Sequence, residues 1–262
     1  MTALCLADTR RRIVVVMDIT NATVFIPGAT SGIGLGLALR LQAAGSTVVI
    51  GGRRASLLES LHEEHGFDTV VVDVADPASI AAAATTVLAA HPDLDTLVTM
   101  SGIMRPEDLR DPGHVADAVA TVETNLLGTI RLVDAFLAHL LTRPAATVVT
   151  VSSGLAFTPL AATPTYSATK AAVHSYTQSL RQQLSGSPVS VLELVPPAVA
   201  TDLLGGADFG GMPLDAFLDE VVGLLTDGAG PELLVENVLP LRWSERNGNQ
   251  QELIEALAGR GH

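Results

Sequence analysis

The sequence predicts an α/β fold in which a doubly wound parallel sheet carries helices on both faces. Short runs of β-branched residues alternate with longer Ala- and Leu-rich segments, the pattern of βαβ units. A glycine-rich turn, residues 28–34, separates the first strand from the first helix. The 262 residues are enough for one such domain with a large core. Together these observations favour a parallel sheet over an antiparallel one.

The predicted elements alternate regularly as far as residue 195. Six strands are expected at 23–26, 47–50, 69–72, 96–100, 147–151 and 189–195. The helices between them are expected at 31–44, 55–65, 77–90, 113–141 and 165–184. Two further helical patterns follow at 214–225 and 231–246, and the sequence shows no clear seventh strand.

The chain is predicted to form a single domain over residues 17–262. Residues 1–16 are expected to be a flexible N-terminal extension, since the run 13–16 is too short for a signal peptide and Asp18 follows closely. The glycine-rich stretch within 202–230 suits a mobile lid over a substrate.

Composition excludes several classes of partner. The net charge is −13, from 15 basic and 28 acidic residues, which argues against a general nucleic-acid binder or an anionic membrane surface. No stretch approaches the roughly 20 apolar residues that cross a bilayer. The single cysteine, Cys5, permits no intramolecular disulfide and no thiolate metal site. We expect a cytoplasmic protein without a metal.

The turn between the first strand and the first helix predicts a dinucleotide site. Glycines let the backbone approach a pyrophosphate closely, and the helix N-terminus offers free N–H groups and a positive dipole end. Its position directly after a strand makes the turn specific. The fold is therefore expected to be of the Rossmann type, with cofactor contacts from Gly28, Thr30, Ser31, Gly32, Ile33 and Gly34.

The end of the second strand predicts the choice of cofactor. NAD sites usually place an acidic residue there, whereas this chain has Gly51-Gly52-Arg53-Arg54. Arg53, and next Arg54, are expected to bind a 2′-phosphate, so NADP(H) is predicted and NAD(H) is less favoured. Asp73, followed by Val74, either contacts the adenine or is an ordinary loop aspartate.

One lysine in the whole chain points to the chemistry. Lys170 lies four residues after Tyr166, so both share a helix face, and an ammonium beside a phenol favours the phenolate. A phenol adjusted in this way can exchange a proton with a carbonyl or an alcohol. Ser153, at the end of the fifth strand, can hold the same oxygen. Asn125 either supports a water that links Lys170 to solvent or is a buried, satisfied amide.

These residues resemble the short-chain dehydrogenase/reductase family in order and spacing. The match consists of Gly28-X-X-X-Gly32-X-Gly34, Asn125, Ser153 and Tyr166-X-X-X-Lys170, and it covers about residues 17–201. The resemblance implies that Tyr166 is the acid/base, Ser153 positions the substrate oxygen, Lys170 binds the nicotinamide ribose, and Asn125 completes a proton relay. A bacterial branch associated with D-alanine esterification of teichoic acids is similar around 152–157 and 195–201.

The resemblance also implies further cofactor contacts and an assembly. Pro196, Val199 and Thr201 would lie over the nicotinamide, and Ser101 and Gly102 would line the same cleft. The chain departs from the family pattern at three places, Pro27, Met100-Ser101-Gly102 and Pro197. A homodimer or homotetramer built on the 113–141 and 165–184 helices is expected.

Two functions remain open at this point. The first is an NADP(H)-dependent oxidoreductase that moves a hydride between the nicotinamide and a small carbonyl or alcohol substrate. The alternative is an NADPH-binding sensor or scaffold protein with vestigial catalysis, which the altered Met100-Ser101-Gly102 and Pro197 would favour. Arg242 and Arg246 could reach an acidic substrate or a partner subunit, and the sequence does not decide between these.

Overall fold

A computed structural model describes residues 17–201, 203, 210–228 and 230–259. The predicted extension, residues 1–16, lies outside the described residues, as does most of the 202–209 part of the predicted lid. Met17 is already part of the core, because it is buried and its backbone N–H donates to the Leu225 carbonyl at 3.0 Å.

Seven strands form one all-parallel sheet, which confirms the predicted fold class. The strands are β1 (Thr23–Pro27), β2 (Thr47–Gly52), β3 (Asp68–Val71), β4 (Thr96–Thr99), β5 (Ala146–Val151), β6 (Val189–Val195) and β7 (Glu232–Leu234). Their order across the sheet is β3-β2-β1-β4-β5-β6-β7. The strands between the two edges are mostly buried, as expected for a parallel sheet covered on both faces.

Helices connect the strands and continue beyond the last one. They are α1 (Gly32–Ala44), α2 (Ala55–His65), α3 (Pro77–Ala90), α4 (His114–Val122), α5 (Gly128–Leu140), α6 (Pro164–Gln183), α7 (Leu214–Thr226), α8 (Leu239–Arg242), α9 (Ser244–Asn247) and α10 (Gln250–Ala258). Helix α3 begins where the sequence predicts it, because Asp76 accepts a hydrogen bond from the Ala78 N–H and Pro77 needs no donor.

The two faces of the sheet carry separate hydrophobic layers. Helices α1, α2 and α7 pack on one face, where Leu41, Leu58 and Phe217 are fully covered. Helices α3, α5 and α6 pack on the other, around Phe136. The Phe136 and Phe25 rings lie 5.2 Å apart, which ties α5 to the central strand β1. This double layer holds the carboxyl ends of the strands rigidly.

The expectation that there is no seventh strand is wrong. Residues Glu232–Leu234 pair with β6 in parallel, so the segment expected to be a helix from 231 begins as a strand. The Glu193 N–H on β6 also donates to the Pro231 carbonyl at 2.9 Å. Glu and Leu are good helix formers, but pairing with an available sheet edge overrides that local preference. The later part is helical, as a 3-10 turn (Glu236–Val238) followed by two short α-helical pieces within 239–247.

The long helix expected over 113–141 contains an irregular turn. Helix α4 is followed by a π-helical turn, Glu123–Leu127, and then by α5. A π turn holds one more residue than an α turn and often occurs at functional sites. Here it contains Asn125, which is completely buried.

Candidate active site

The cleft lies at the point where the strand order reverses. β1 and β4 are neighbours, and the connections that leave them run to opposite sides of the sheet. In such sheets the loops at the carboxyl ends separate here and leave a crevice that binds ligands. The loops that follow β1, β2, β4, β5 and β6 carry most of the predicted cofactor residues and Ser153, whereas Tyr166 and Lys170 lie on α6.

Glycine is required in the loop after β1 because of close backbone approach. Gly28 has φ +93°, and a Cβ there would lie 2.6 Å from the Ser101 backbone nitrogen. A Cβ on Gly34 would lie 2.6 Å from the Gly28 carbonyl oxygen. Gly32 has φ +56°, a conformation that L residues rarely adopt. The loop therefore packs directly against the Ser101-Gly102 segment after β4.

The N-terminus of α1 fits a pyrophosphate. Ser31 occupies the N-cap position, but in the described structure its side chain accepts no hydrogen bond from the helix. The first N–H groups of a helix lack partners within it and attract anions. Thr201 closes the other side, since its Cβ and Cγ2 lie 3.5 Å from where a Gly32 Cβ would be. The fold thus brings Thr201, from the loop after β6, against the start of α1.

The end of β2 presents two arginines and no carboxylate. Both arginines are exposed. The Arg54 Nη2 donates to Thr30 Oγ1 at 3.1 Å, which ties Arg54 to the phosphate loop. Arg53 makes no ion pair within the described part of the chain and is available to an anion.

The loop after β3 is only partly arranged as expected. One carboxylate oxygen of Asp73 accepts a hydrogen bond from the Ala75 N–H at 3.0 Å, a local turn contact that leaves the other oxygen available. Val74 is buried and packs where Gly128 leaves room, so its side chain serves the core. Any contact of Val74 with a cofactor would have to come from its backbone.

The catalytic candidates meet at the carboxyl end of β5. Tyr166 and Lys170 lie one turn apart on α6, and the Lys170 Nζ is 5.6 Å from the centre of the Tyr166 ring. The Lys170 Nζ donates to the Val151 carbonyl at 2.8 Å. The Ser153 side chain lies close enough to the Tyr166 hydroxyl to lower the pKa of that phenol. The Ser153 Oγ also accepts from the Leu155 N–H at 3.1 Å, so its own proton is free to be donated.

Burial dominates the protonation of this pair. It raises the pKa of Tyr166 to about 12, against a smaller lowering by the Ser153 hydrogen bond. Burial also lowers the pKa of Lys170 to about 8. The sequence predicts a phenol whose pKa is lowered by Lys170, and this structure gives the opposite direction. Both groups are removed from water, which disfavours the charged form of each.

Asn125 holds the backbone beside the cleft. Its Oδ1 accepts from the Ile103 N–H at 2.8 Å, and its Nδ2 donates to the Ile103 carbonyl at 2.9 Å and to Thr169 Oγ1 at 3.3 Å. Gly102 lies next to this amide, since a Cβ there would be 3.5 Å from Asn125 Oδ1 and 3.7 Å from Lys170 Nζ. The buried, satisfied amide is thus the alternative that the geometry supports.

The loop after β6 is braced from two sides. The Pro196 carbonyl accepts from the Gly154 N–H at 2.8 Å, which ties this loop to the turn after Ser153. Val199 pairs with Met212, through an Ala200 N–H bond to the Met212 carbonyl at 2.9 Å and a Met212 N–H bond to the Ala198 carbonyl at 2.8 Å. These contacts fix the backbone of the loop that carries Pro196, Val199 and Thr201.

The family model for short chain dehydrogenases matches residues 22–208. The chain belongs to the short-chain dehydrogenase/reductase family. Members of this family are oxidoreductases that act on CH–OH or C=O groups with a nicotinamide cofactor, and this chain is such an enzyme.

Individual proteins show how near the likeness is. An uncharacterized oxidoreductase of Bacillus subtilis strain 168, DltE, is 40% identical over 189 residues, 71% of this chain and 75% of that protein. A short chain dehydrogenase from Burkholderia cenocepacia J2315 in complex with NADP has TM-score 0.80 at 23% identity, covering 92% of this chain and 99% of that one. A 3-ketoacyl-(acyl-carrier-protein) reductase from Brucella melitensis complexed with NADH has TM-score 0.72 at 25% identity, covering 80% and 92%.

No helix among residues 17–201, 210–228 and 230–259 combines the length and apolar character needed to span a membrane.

A set of buried polar groups lies next to this site and is not among the residues predicted from the sequence. Glu193 is fully buried in β6 and contacts Ser152 and His174. A charged residue in the apolar run 191–195 was an available signal, because unpaired carboxylates are rarely buried. Glu107 is another, with a side chain 1% exposed that accepts hydrogen bonds from the Thr165 N–H and hydroxyl at the start of α6.

Proposed function

We propose that this enzyme is an NADP(H)-dependent carbonyl reductase or alcohol dehydrogenase in which Tyr166 is the acid/base. The observation that carries the proposal is the arrangement at the end of β5, where Ser153 faces the Tyr166 hydroxyl and Lys170 is fixed to the Val151 carbonyl. When bound, the nicotinamide supplies or accepts the hydride.

The residues of the chain would manage the proton and the substrate oxygen. With a pKa near 12, the Tyr166 hydroxyl is protonated at neutral pH and can donate to a carbonyl oxygen as negative charge develops there. The free Ser153 proton would hold the same oxygen, so two donors stabilise the oxyanion. In the oxidative direction Tyr166 would take the proton from an alcohol. The high pKa keeps Tyr166 in the protonated form that the reductive direction requires at neutral pH.

Lys170 would orient the cofactor as well as act on Tyr166. Its Nζ lies beside Gly102, at the floor of the cleft, where it can reach ribose hydroxyls. Asn125 would keep this floor in place through its bonds to Ile103. The side chain of Asn125 would then serve the reaction by positioning Gly102 and Thr169, next to Lys170.

The test is NADPH consumption with a panel of ketones, aldehydes and quinones, with Tyr166→Phe measured in parallel. We expect turnover by the wild type, loss of turnover in the variant, and nearly unchanged NADPH binding, because the hydroxyl is the only group removed. Normal turnover in Tyr166→Phe would refute the assignment. Tight NADPH binding by the wild type with no turnover on any substrate would favour the sensor alternative.

Preference for NADP(H) over NAD(H) is supported by Arg53 and Arg54 and by the absence of an acid between Gly51 and Arg54. We expect at least a tenfold preference, about 1.4 kcal/mol. Arg53→Ala should remove most of it, measured as the ratio of kcat/KM for the two cofactors. An unchanged ratio would show that Arg53 does not bind the 2′-phosphate.

We further propose a homodimer or homotetramer in the cytoplasm. Helices α4, α5 and α6 would form the interface, because Val115 and Val119 are 54% and 56% exposed one turn apart on α4. Light scattering of the purified protein tests the assembly, and a monomer at working concentration would contradict it.

A further inference from the structure

Three consecutive residues at the end of β5 are each held by a different side chain. Val151 accepts from Lys170, and Ser153 faces Tyr166. Ser152, between them, points to the other side, where its Oγ donates to a Glu193 carboxylate oxygen at 2.5 Å. Glu193 is completely buried and Ser152 is 1% exposed, so solvent does not compete for this bond.

A histidine on α6 completes the arrangement. The His174 Nδ1 lies 2.9 Å from both carboxylate oxygens of Glu193. His174 is one turn beyond Lys170 and two turns beyond Tyr166, so the three side chains follow one face of α6. Successive turns of this helix therefore fix Ser153, Val151 and, through Glu193, Ser152.

The other charged groups around Glu193 come from α6, β7 and α8. Arg181 on α6 donates to the Val191 and Pro231 carbonyls and lies close enough to act on Glu193 electrostatically. Glu232 on β7 lies next to the carboxylate, and Arg242 on α8 binds Glu232 with two hydrogen bonds of 2.6 and 2.9 Å.

This surrounding set explains how a carboxylate survives in the centre of a sheet. A buried charge is strongly unfavourable unless it is paired and hydrogen-bonded. Glu193 has a hydroxyl donor, an imidazole and the nearby Arg181 guanidinium as compensation. Arg242 forms an ion pair with Glu232. Its position is therefore explained without an acidic substrate or a partner subunit.

We propose that Glu193 and His174 are positioning residues that fix the Ser152-Ser153 turn against α6, so that the Ser153 hydroxyl meets the Tyr166 oxygen. This inference rests on the proposed roles of Tyr166 and Ser153. If Ser152 loses its anchor, Ser153 shifts and its hydrogen bond to the Tyr166 oxygen weakens. That bond stabilises the phenolate, so its weakening raises the pKa of Tyr166.

The experiment follows the ionisation of Tyr166 and needs no known substrate. The chain has two tyrosines, Tyr166 and Tyr176, so labelling with 3-fluorotyrosine gives two ¹⁹F NMR signals, and Tyr176→Phe assigns them. Fluorine lowers the pKa of the phenol, which brings the transition into a milder pH range. The full-length protein saturated with NADP⁺ is titrated, with circular dichroism confirming that each variant stays folded.

Ser152→Ala is expected to move the Tyr166 midpoint to higher pH by about half a unit, a threefold change in the phenolate equilibrium, because part of one hydrogen bond is lost. His174→Phe should move it in the same direction. In Glu193→Gln the Tyr166 midpoint should stay close to the wild-type value, because the amide oxygen of the new side chain can still accept a hydrogen bond from Ser152. A merely structural effect would lower stability without moving the midpoint.

Thr150→Val is the matched control. The Thr150 hydroxyl bonds Thr177 at 2.7 Å, a second buried contact between β5 and α6 that does not involve Ser153. If Ser153→Ala raises the midpoint but Ser152→Ala and His174→Phe behave like Thr150→Val, the positioning role is refuted and the proposed function stands. If Ser153→Ala leaves the midpoint unchanged, the Ser153–Tyr166 contact in the proposed function is wrong.

Discussion

Replacement of Lys170 by methionine should make the cofactor-free protein more stable at neutral pH. Lys170 is 5% exposed, and burial lowers its pKa from 10.5 to about 8. At about 1.4 kcal/mol per pH unit, keeping the ammonium in the folded state at neutral pH costs about 3 kcal/mol. The hydrogen bond to the Val151 carbonyl returns about 1 kcal/mol. Lys170→Met should therefore gain about 2 kcal/mol, because methionine fills a similar volume without charge.

The pH dependence makes this prediction specific. Because the folded-state pKa of Lys170 is the lower one, the unfolded chain binds more protons than the folded one between about pH 8 and 10.5. The cost is complete below pH 8 and disappears as the pH rises to 10.5, so wild-type stability should approach that of the variant over this window. Tyr166 is present in both proteins, and its titration cancels in the difference.

Urea unfolding followed by the fluorescence of the single tryptophan, Trp243, measures both proteins at each pH. A wild type that is more stable than Lys170→Met at neutral pH, or a difference that stays constant from pH 8 to 10.5, would show that burial does not disfavour the ammonium. The Lys170→Met variant should also lose turnover and part of its affinity for NADPH. One substitution would then show both a gain in stability and a loss of function.

Two further substitutions test the geometry of the cleft. Asn125→Ala should reduce the free energy of unfolding by about 3 kcal/mol, because it removes three hydrogen bonds of a fully buried side chain at about 1 kcal/mol each. A loss below about 1 kcal/mol in urea would contradict that role. Gly34→Ala should destabilise the protein by about 1–3 kcal/mol and weaken NADPH binding, because the added Cβ meets the backbone carbonyl of Gly28. Gly36→Ala should cost less in the same assay, because its Cβ meets only the flexible end of Leu218. Equal losses in the two variants would contradict this reasoning.

Much of the fold could be predicted from local pattern. The alternation of strands and helices, the glycine-rich loop and the six strands up to 195 are set by periodicities and turn residues within short stretches, and the structure confirms them within one or two residues at most boundaries. The third strand begins at Asp68 instead of 69, because Asp68 pairs with Val49 of β2. Pairing with a neighbouring strand generally decides where a strand begins and ends.

The remainder depended on distant partners. β7 exists because β6 offers an unpaired edge to residues that would otherwise prefer a helix. The π turn places Asn125 where its side-chain amide bonds to Ile103 and Thr169. A helical sequence pattern reveals neither contact. The sequence also predicts the proximity of Tyr166 and Lys170, but not the direction of the Tyr166 pKa, because burial depends on everything packed around the pair.

The single lysine has a practical consequence for chemistry in solution. Every other basic side chain that carries a fixed charge is an arginine, which amine-directed reagents leave untouched. Reductive methylation with isotope-labelled formaldehyde would therefore attach one side-chain NMR probe, at the ammonium beside Tyr166. Because Lys170 is 5% exposed, the labelling rate depends on how often local opening exposes the ammonium to solvent. A bound dinucleotide that covers the cleft should slow this reaction, so occupancy can be followed without any turnover.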